Sequence, residues 1–124
     1  MWEIEYTDEF EEWWNTLSET AQDSVAVLVM LLEEKGVSLG YPYSSEVKGA
    51  KKVPHLRELR DDVDSRILRI LYAFDPRRKA ILLIGGDKRG DKNWYDRIIP
   101  IAEDIYLNHL EEIRREPEGG ECDG

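Results

Sequence analysis

The chain has 124 residues, with 17 lysines and arginines against 27 aspartates and glutamates, a formal charge of −10, and 41% hydrophobic and 35% charged residues. That length suits one domain with a real core, and the acidic body argues against indiscriminate nucleic-acid binding, because a negative surface repels phosphate. A single cysteine, Cys122, excludes an internal disulfide framework, and His55 and His109 are too few and too far apart to build a zinc set with it.

Trp2, Ile4 and Tyr6 alternate with Glu3 and Glu5, the pattern of a short strand with one buried face. Thr7 or Asp8 then caps a helix whose Phe10, Trp13, Trp14 and Leu17 form one apolar stripe. Ser18 starts a second helix that Gly36 ends. Its Ala21, Val25, Leu28 and Leu32 make one face, which Val27, Met30 and Leu31 widen beyond an ordinary stripe, so the helix is expected to touch more than its own sheet. Val37 to Tyr43 reads as a connector broken by Gly40 and Pro42. A basic loop holds Lys48, Lys51 and Lys52, the residue type that contacts phosphate when it borders a groove.

Three strand-like runs follow. His55 to Arg60 is the first, with His55, Arg57 and Leu59 on one side and Leu56, Glu58 and Arg60 on the other. In the second, Leu68, Ile70, Tyr72 and Phe74 oppose Ile67, Arg69, Leu71 and Ala73. The third, Ala80 to Ile84, is apolar on both faces and is expected to be covered on both. Short links make the three antiparallel neighbours. Gly85 and Gly86 then loosen the backbone into a charged loop, and a last helix opens at Trp94-Tyr95. Pro100 implies either that this helix proper begins near Ile99 or that it kinks there. The fold class is therefore α+β: an N-terminal strand and helical hairpin on a small, mainly antiparallel sheet, with a C-terminal helix. One domain is expected over 1–115 and a disordered acidic tail over 116–124. No run approaches the roughly 20 apolar residues of a membrane span. The single cysteine and the absence of signal-peptide order at the start fit a reducing cytoplasm.

Between Lys48 and Arg97 lie 14 basic and 8 acidic side chains, leaving 3 basic and 19 acidic for the rest. A basic sheet inside an acidic shell fits two roles: ordinary surface pairing, or a grip on one RNA strand. Strand arginines, a Lys-Arg pair and a tyrosine suit RNA transesterification. Guanidinium groups stabilise the phosphorane, and a tyrosine or lysine whose pKa is lowered by neighbouring cations, or a glutamate such as Glu58, takes the proton. Arg60 and Arg69 fall on an open sheet face by parity, whereas Arg57 shares the parity of Leu59 and reads as structural.

Three segments resemble the RelE/ParE superfamily of bacterial toxins, most of all its phage-derived HigB-like branch: Val47-Lys48-Gly49 with Leu56-Arg57-Glu58-Leu59-Arg60; Arg69-Ile70-Leu71-Tyr72; and Ile81 to Arg89 with Tyr95 after it. The resemblance implies the toxin of a type II toxin–antitoxin system, a metal-independent and ribosome-dependent mRNA endoribonuclease without a cofactor. Its implied catalytic residues are Arg60, Arg69, Arg89, Tyr95 and Glu58, and its implied RNA contacts are Lys48, Lys51, Lys52, Lys88 and Lys92. The base stays open between Glu58 and Tyr95, because Leu56 and Glu58 stand where RelE-type enzymes carry lysine. The implied partners are a helix-turn-helix, HigA-like antitoxin, the ribosome and its mRNA, and no membrane; a homodimer is left open. The alternatives are a ParE-like, non-catalytic inhibitor of DNA gyrase and an inactive solitary homologue.

Overall fold

The computed structural model describes residues 1–116. Strand β1 (Ile4–Tyr6) leads into helices α1 (Asp8–Trp14) and α2 (Glu19–Lys35), a 3-10 turn follows at Gly36–Ser38, and then come β2 (Ser44–Glu46), β3 (Arg57–Asp61), β4 (Leu68–Phe74), β5 (Ala80–Asp87) and α3 (Trp94–Arg115). The sheet runs in the order β1-β5-β4-β3-β2. All neighbours are antiparallel except β1, which lies parallel to β5. The helical hairpin carries the chain from β1 at one edge of the sheet to β2 at the other, and the antiparallel run β2-β3-β4-β5 then returns it beside β1 to make that parallel pair. The α+β arrangement is the one the alternating and helical patterns lead to.

The period-two side chains of the central strands split the core in two. Leu68, Ile70 and Tyr72 of β4, with Ala80 and Leu82 of β5, pack against Phe10, Val25, Leu28 and Leu32 of α1 and α2. Leu71, Ala73, Ile81 and Leu83 face the other way, against Trp94, Ile98, Ile99, Ala102 and Tyr106 of α3. β4 and β5 are therefore apolar on both faces and central. The hydroxyl of Thr7 accepts the Phe10 N–H at 3.0 Å and that of Ser18 accepts the Ala21 N–H at 3.2 Å, so each of the first two helices starts on a side-chain cap.

Four local readings change. β3 begins at Arg57 rather than His55, and His55 instead turns to α3, where its Nε2 lies 3.3 Å from the Tyr106 hydroxyl. β2 has no hydrophobic alternation to announce it, since its sequence is Ser44-Ser45-Glu46; it forms because it pairs with β3. α3 begins at Trp94 and contains Pro100 as its seventh residue. That proline is exposed, so the N–H it lacks is missing on the solvent side, where water can serve the freed carbonyl. Gly85 and Gly86 belong to β5 rather than to a loop. A Cβ on Gly85 would stand 2.5 Å from the Trp13 ring, and one on Gly86 2.8 Å from Trp94 Nε1. The two glycines thus admit one indole on each face of the sheet. Of the acidic tail expected over 116–124, all but Glu116 lies outside the described residues, Cys122 included.

Gly86→Ala should displace Trp94 and lower stability by about 1–3 kcal/mol through overpacking. Chemical denaturation would measure the loss, and the near-ultraviolet dichroism of the tryptophans would report the displaced ring.

Candidate functional site

Glu58, Arg60 and Arg69 reach one face of the sheet by strand parity and register. In the β3–β4 ladder Arg60 stands directly opposite Arg69, and Glu58 opposite Leu71. Two guanidinium groups facing each other across a strand pair repel, and carboxylates resolve the repulsion. Glu58 Oε2 accepts from Arg60 Nη1 at 3.3 Å and from the Ser45 hydroxyl of β2 at 3.0 Å. Arg69 Nη1 donates to Asp62 Oδ1 at 2.6 Å and to the Leu68 carbonyl at 2.8 Å, and Arg69 Nε lies 4.0 Å from Glu58 Oε1. Arg69 Nε is buried without a hydrogen-bond partner. The Arg69 hydrogen bond holds the Asp62 carboxyl below its ordinary value.

The fourth side of the cluster comes from the start of α3. Trp94 is anchored over Gly86, and the next residue, Tyr95, reaches down so that its hydroxyl donates to Glu58 Oε1 at 2.6 Å. Lys88 Nζ stands 5.6 Å above the Tyr95 ring, a cation–π contact. Glu58, Arg60 and Tyr95 border a depression of about 380 Å³, also lined by Ser45, Glu46, Val47 and Lys48. Burial pushes the Tyr95 hydroxyl up to about 12, the Glu58 carboxylate adds to that shift, and Arg69 only partly opposes it. The expectation of a tyrosine made more acidic by surrounding cations is thus reversed, because the nearest charge is an anion. Tyr95 keeps its proton at neutral pH and is suited to give it, not to take one. Glu58 is the group placed to accept a proton.

Glu58 and Arg69 are also far less open than strand parity implies, at 4% and 3% exposure. Arg60 is partly covered, and its guanidinium lies 5.3 Å from the exposed ring of Tyr41. Arg57 faces the opposite side and donates to Ser44 Oγ at 3.2 Å, as its parity with Leu59 implies. Arg89 turns to the β3–β4 loop, where Nη1 donates to the Ser65 carbonyl at 2.6 Å and Nη2 lies 3.6 Å from Asp87. Lys48 borders the depression and Lys88 caps the tyrosine, but Lys52 does neither. Buried Glu103 of α3 accepts the backbone N–H of Lys52 and Val53 at 2.5 and 2.9 Å, and Lys52 Nζ pairs with Asp104. That places the loop about 12 Å along α3 from Tyr95 at 1.5 Å per residue. Lys51 and Lys92 are exposed and line no part of the depression.

Ser45 and Asp62 are site residues that the sequence did not single out. The only signal for Ser45 was its register opposite Glu58, which requires knowing that β2 exists. Asp62 stands in the acidic segment between β3 and β4, beside Asp61 and Asp64, and nothing in that sequence names Arg69 as its partner. The two histidines lie elsewhere. His109 Nε2 is 3.0 Å from buried Asp75, which also receives Arg77 Nη2 at 2.7 Å and the backbone N–H of Arg77 and Lys79, so this group ties the β4–β5 turn to α3. Among the described residues no histidine, cysteine and carboxylate grouping could hold a metal ion, and no helix is long and apolar enough to cross a membrane.

Residues 12–107 match the family model described as phage-derived protein Gp49-like. The chain is 45% identical over 101 residues to a candidate toxin of Mycobacterium tuberculosis, HigB3, an alignment that covers 81% of this chain and 86% of that protein. It is 38% identical over 100 residues to a second candidate toxin of the same organism, HigB2, covering 79% of this chain and 49% of the relative, so it spans about half of HigB2's length. A double arginine-to-alanine mutant of the E. coli toxin RelE, in its free state, shares the fold with a TM-score of 0.54 at 10% identity, over 90% of this chain and 97% of that one.

Glu58→Gln should lower the Tyr95 hydroxyl only part of the way from about 12, since it removes the anion but leaves the burial that is the larger cause. Ultraviolet difference titration against Tyr95→Phe reads this directly. Because the folded value is raised, the stability owed to this bond is complete below about 10 and is lost as pH rises toward about 12.

Proposed function

The chain belongs to the phage-derived Gp49-like family, within the HigB-like branch of the RelE/ParE toxin superfamily, and from that premise we propose that it is the toxin of a type II toxin–antitoxin system that cleaves mRNA on the ribosome. The observation that carries this reading is the convergence of Glu58, Tyr95 and Arg60 on one depression, with buried Arg69 behind Glu58. A phosphoryl transfer that attacks through the 2′-hydroxyl needs a proton acceptor, a proton donor and cations at the phosphorane, and this cluster supplies each.

Glu58 takes the proton of the 2′-hydroxyl, the 2′-oxygen bonds to the adjacent phosphorus, and the bond from phosphorus to the 5′-oxygen breaks. Arg60 holds an equatorial oxygen as its charge grows, and the buried Arg69 guanidinium adds positive charge from beneath Glu58. Tyr95 gives its proton to the departing 5′-oxygen, which is far more basic than a phenolate even at a pKa of about 12. The products are a 2′,3′-cyclic phosphate and a 5′-hydroxyl. Glu58 is then protonated and Tyr95 is not, and the 2.6 Å hydrogen bond between them returns the proton and resets the pair. Lys48 at the border of the depression and Lys88 over the Tyr95 ring guide the phosphate chain, with Arg89, Lys51, Lys52 and Lys92 as more distant positive charges. A helix-turn-helix antitoxin of the HigA type, encoded next to this chain, is the expected partner.

Glu58→Gln and Tyr95→Phe should each reduce cleavage by about 10²–10⁴-fold, and Arg60→Ala by about 10²–10³-fold. Arg69→Lys is the better probe at its position, because Arg69→Ala would strip a buried partner from Asp62 and damage the fold. Primer extension on cellular mRNA after induction reads the cuts, and circular dichroism checks folding. Folded variants that stay fully toxic would remove the catalytic assignment, and DNA breaks with intact mRNA would favour gyrase inhibition.

A further inference from the structure

The negative charge of the chain is concentrated away from the Glu58–Tyr95 depression. Ten carboxylates precede Lys35, the first basic side chain. On this half, α1 and α2 leave a groove of about 530 Å³ above the edge strand β1. Buried Phe10 and Leu82 form its floor, and Trp14, Val29 and Met30 its walls. Met30 is 63% exposed and Tyr6, at the mouth, 61%. Glu11 and Glu33 stand on the rim, and no lysine or arginine lines the groove.

Large apolar side chains held open to solvent beside unopposed carboxylates mark an interaction surface. Charge decides among its occupants. Nucleic acid and anionic lipid are repelled. A second copy of this chain, docking across a twofold axis, would bring Glu11 and Glu33 against their own kind. A positively charged protein segment meets neither objection, and a groove between two helices receives apolar anchors at i, i+3 and i+4.

We propose that the α1–α2 groove docks a cationic amphipathic helix of a partner protein, its apolar stripe entering between Trp14 and Met30 and its lysines or arginines meeting Glu11 and Glu33. This surface lies apart from the nuclease cluster, and docking there does not require Glu58 or Tyr95.

The full chain would be titrated with two designed helical peptides that share one leucine stripe, one with lysine on its polar face and the other with glutamate. Met1 and Met30 are the only methionines, so the Met30 methyl signal is easily assigned. The lysine peptide should shift that signal saturably, at one peptide per chain, with affinity falling as salt rises. Met30→Ser, at an exposed position that does not govern folding, should weaken it about tenfold. Glu11→Lys combined with Glu33→Lys should transfer the preference to the glutamate peptide. Equal binding of both peptides, or binding that leaves the Met30 methyl unmoved, would overturn the proposal. So would a Met30 shift that depends on protein concentration without peptide, which would make the occupant a second copy.

Discussion

The Glu58 carboxylate joins four elements, β2, β3, β4 and α3, through polar contacts at one point beside the core that packs α3 on the sheet. It sits on β3, accepts from Ser45 of β2 and Tyr95 of α3, and balances Arg60 beside it and Arg69 of β4. A carboxylate taken out of water is costly unless its charge and both oxygens are matched, and breaking such a pair from one side costs about 3–5 kcal/mol. Here the matching is done by groups of three other chain segments, so the bonds that neutralise Glu58 also fix the start of α3 over the sheet. The arginine pair adds a second demand. Arg60 and Arg69 are opposed in the ladder, and without Glu58 and Asp62 the register that aligns the hydrophobic residues of β3 and β4 would bring like charges together. Chemistry and register thus rest on the same carboxylates.

The tyrosine that completes the cluster is positioned by packing more than by polarity. Trp94 can lie against β5 only because residue 86 has no side chain, and Trp13 uses Gly85 in the same way on the opposite face. A loop would have left Tyr95 with many orientations. An indole held against the sheet one residue earlier leaves it few, and less rotational freedom remains to be lost when its hydroxyl meets Glu58. The high value of the Tyr95 hydroxyl follows from this enclosure together with the adjacent anion.

Much of this was readable before any coordinates. The alternation in β1 and β4, the two-sided apolar run of β5 and the caps at Thr7 and Ser18 gave the elements, because each depends on local periodicity or on one side chain near one backbone N–H. Strand parity correctly separated Arg57 from Arg60 and Arg69. What parity cannot show is depth. It placed Arg69 on a face, but burial of that arginine depends on Asp62 and on α3, both distant in sequence or in shape. β2 was missed because Ser44-Ser45-Glu46 has no pattern of its own and is a strand only by pairing with β3. The direction of the Tyr95 shift was missed for a related reason. Basic residues dominate its neighbourhood in sequence, yet the closest group in space is Glu58.

The charge distribution bears on how an acidic chain could take the proposed phosphate-binding role. Net charge governs long-range approach only where salt does not screen it, and at physiological ionic strength screening acts over about 8 Å. The acidic α1–α2 hairpin packs on one face of the sheet, whereas Glu58 and Tyr95 meet on the face that α3 covers, so the sheet itself lies between the two surfaces. In the proposed function a phosphate chain would meet Lys48, Arg60 and Lys88 beside the carboxylates of Glu46 and Glu58, while a positively charged helix would be drawn to the α1–α2 side. Neutralising the acidic half would remove the attraction for such a helix, so the acidic excess serves the proposed groove without entering the Glu58–Tyr95 depression on the other face.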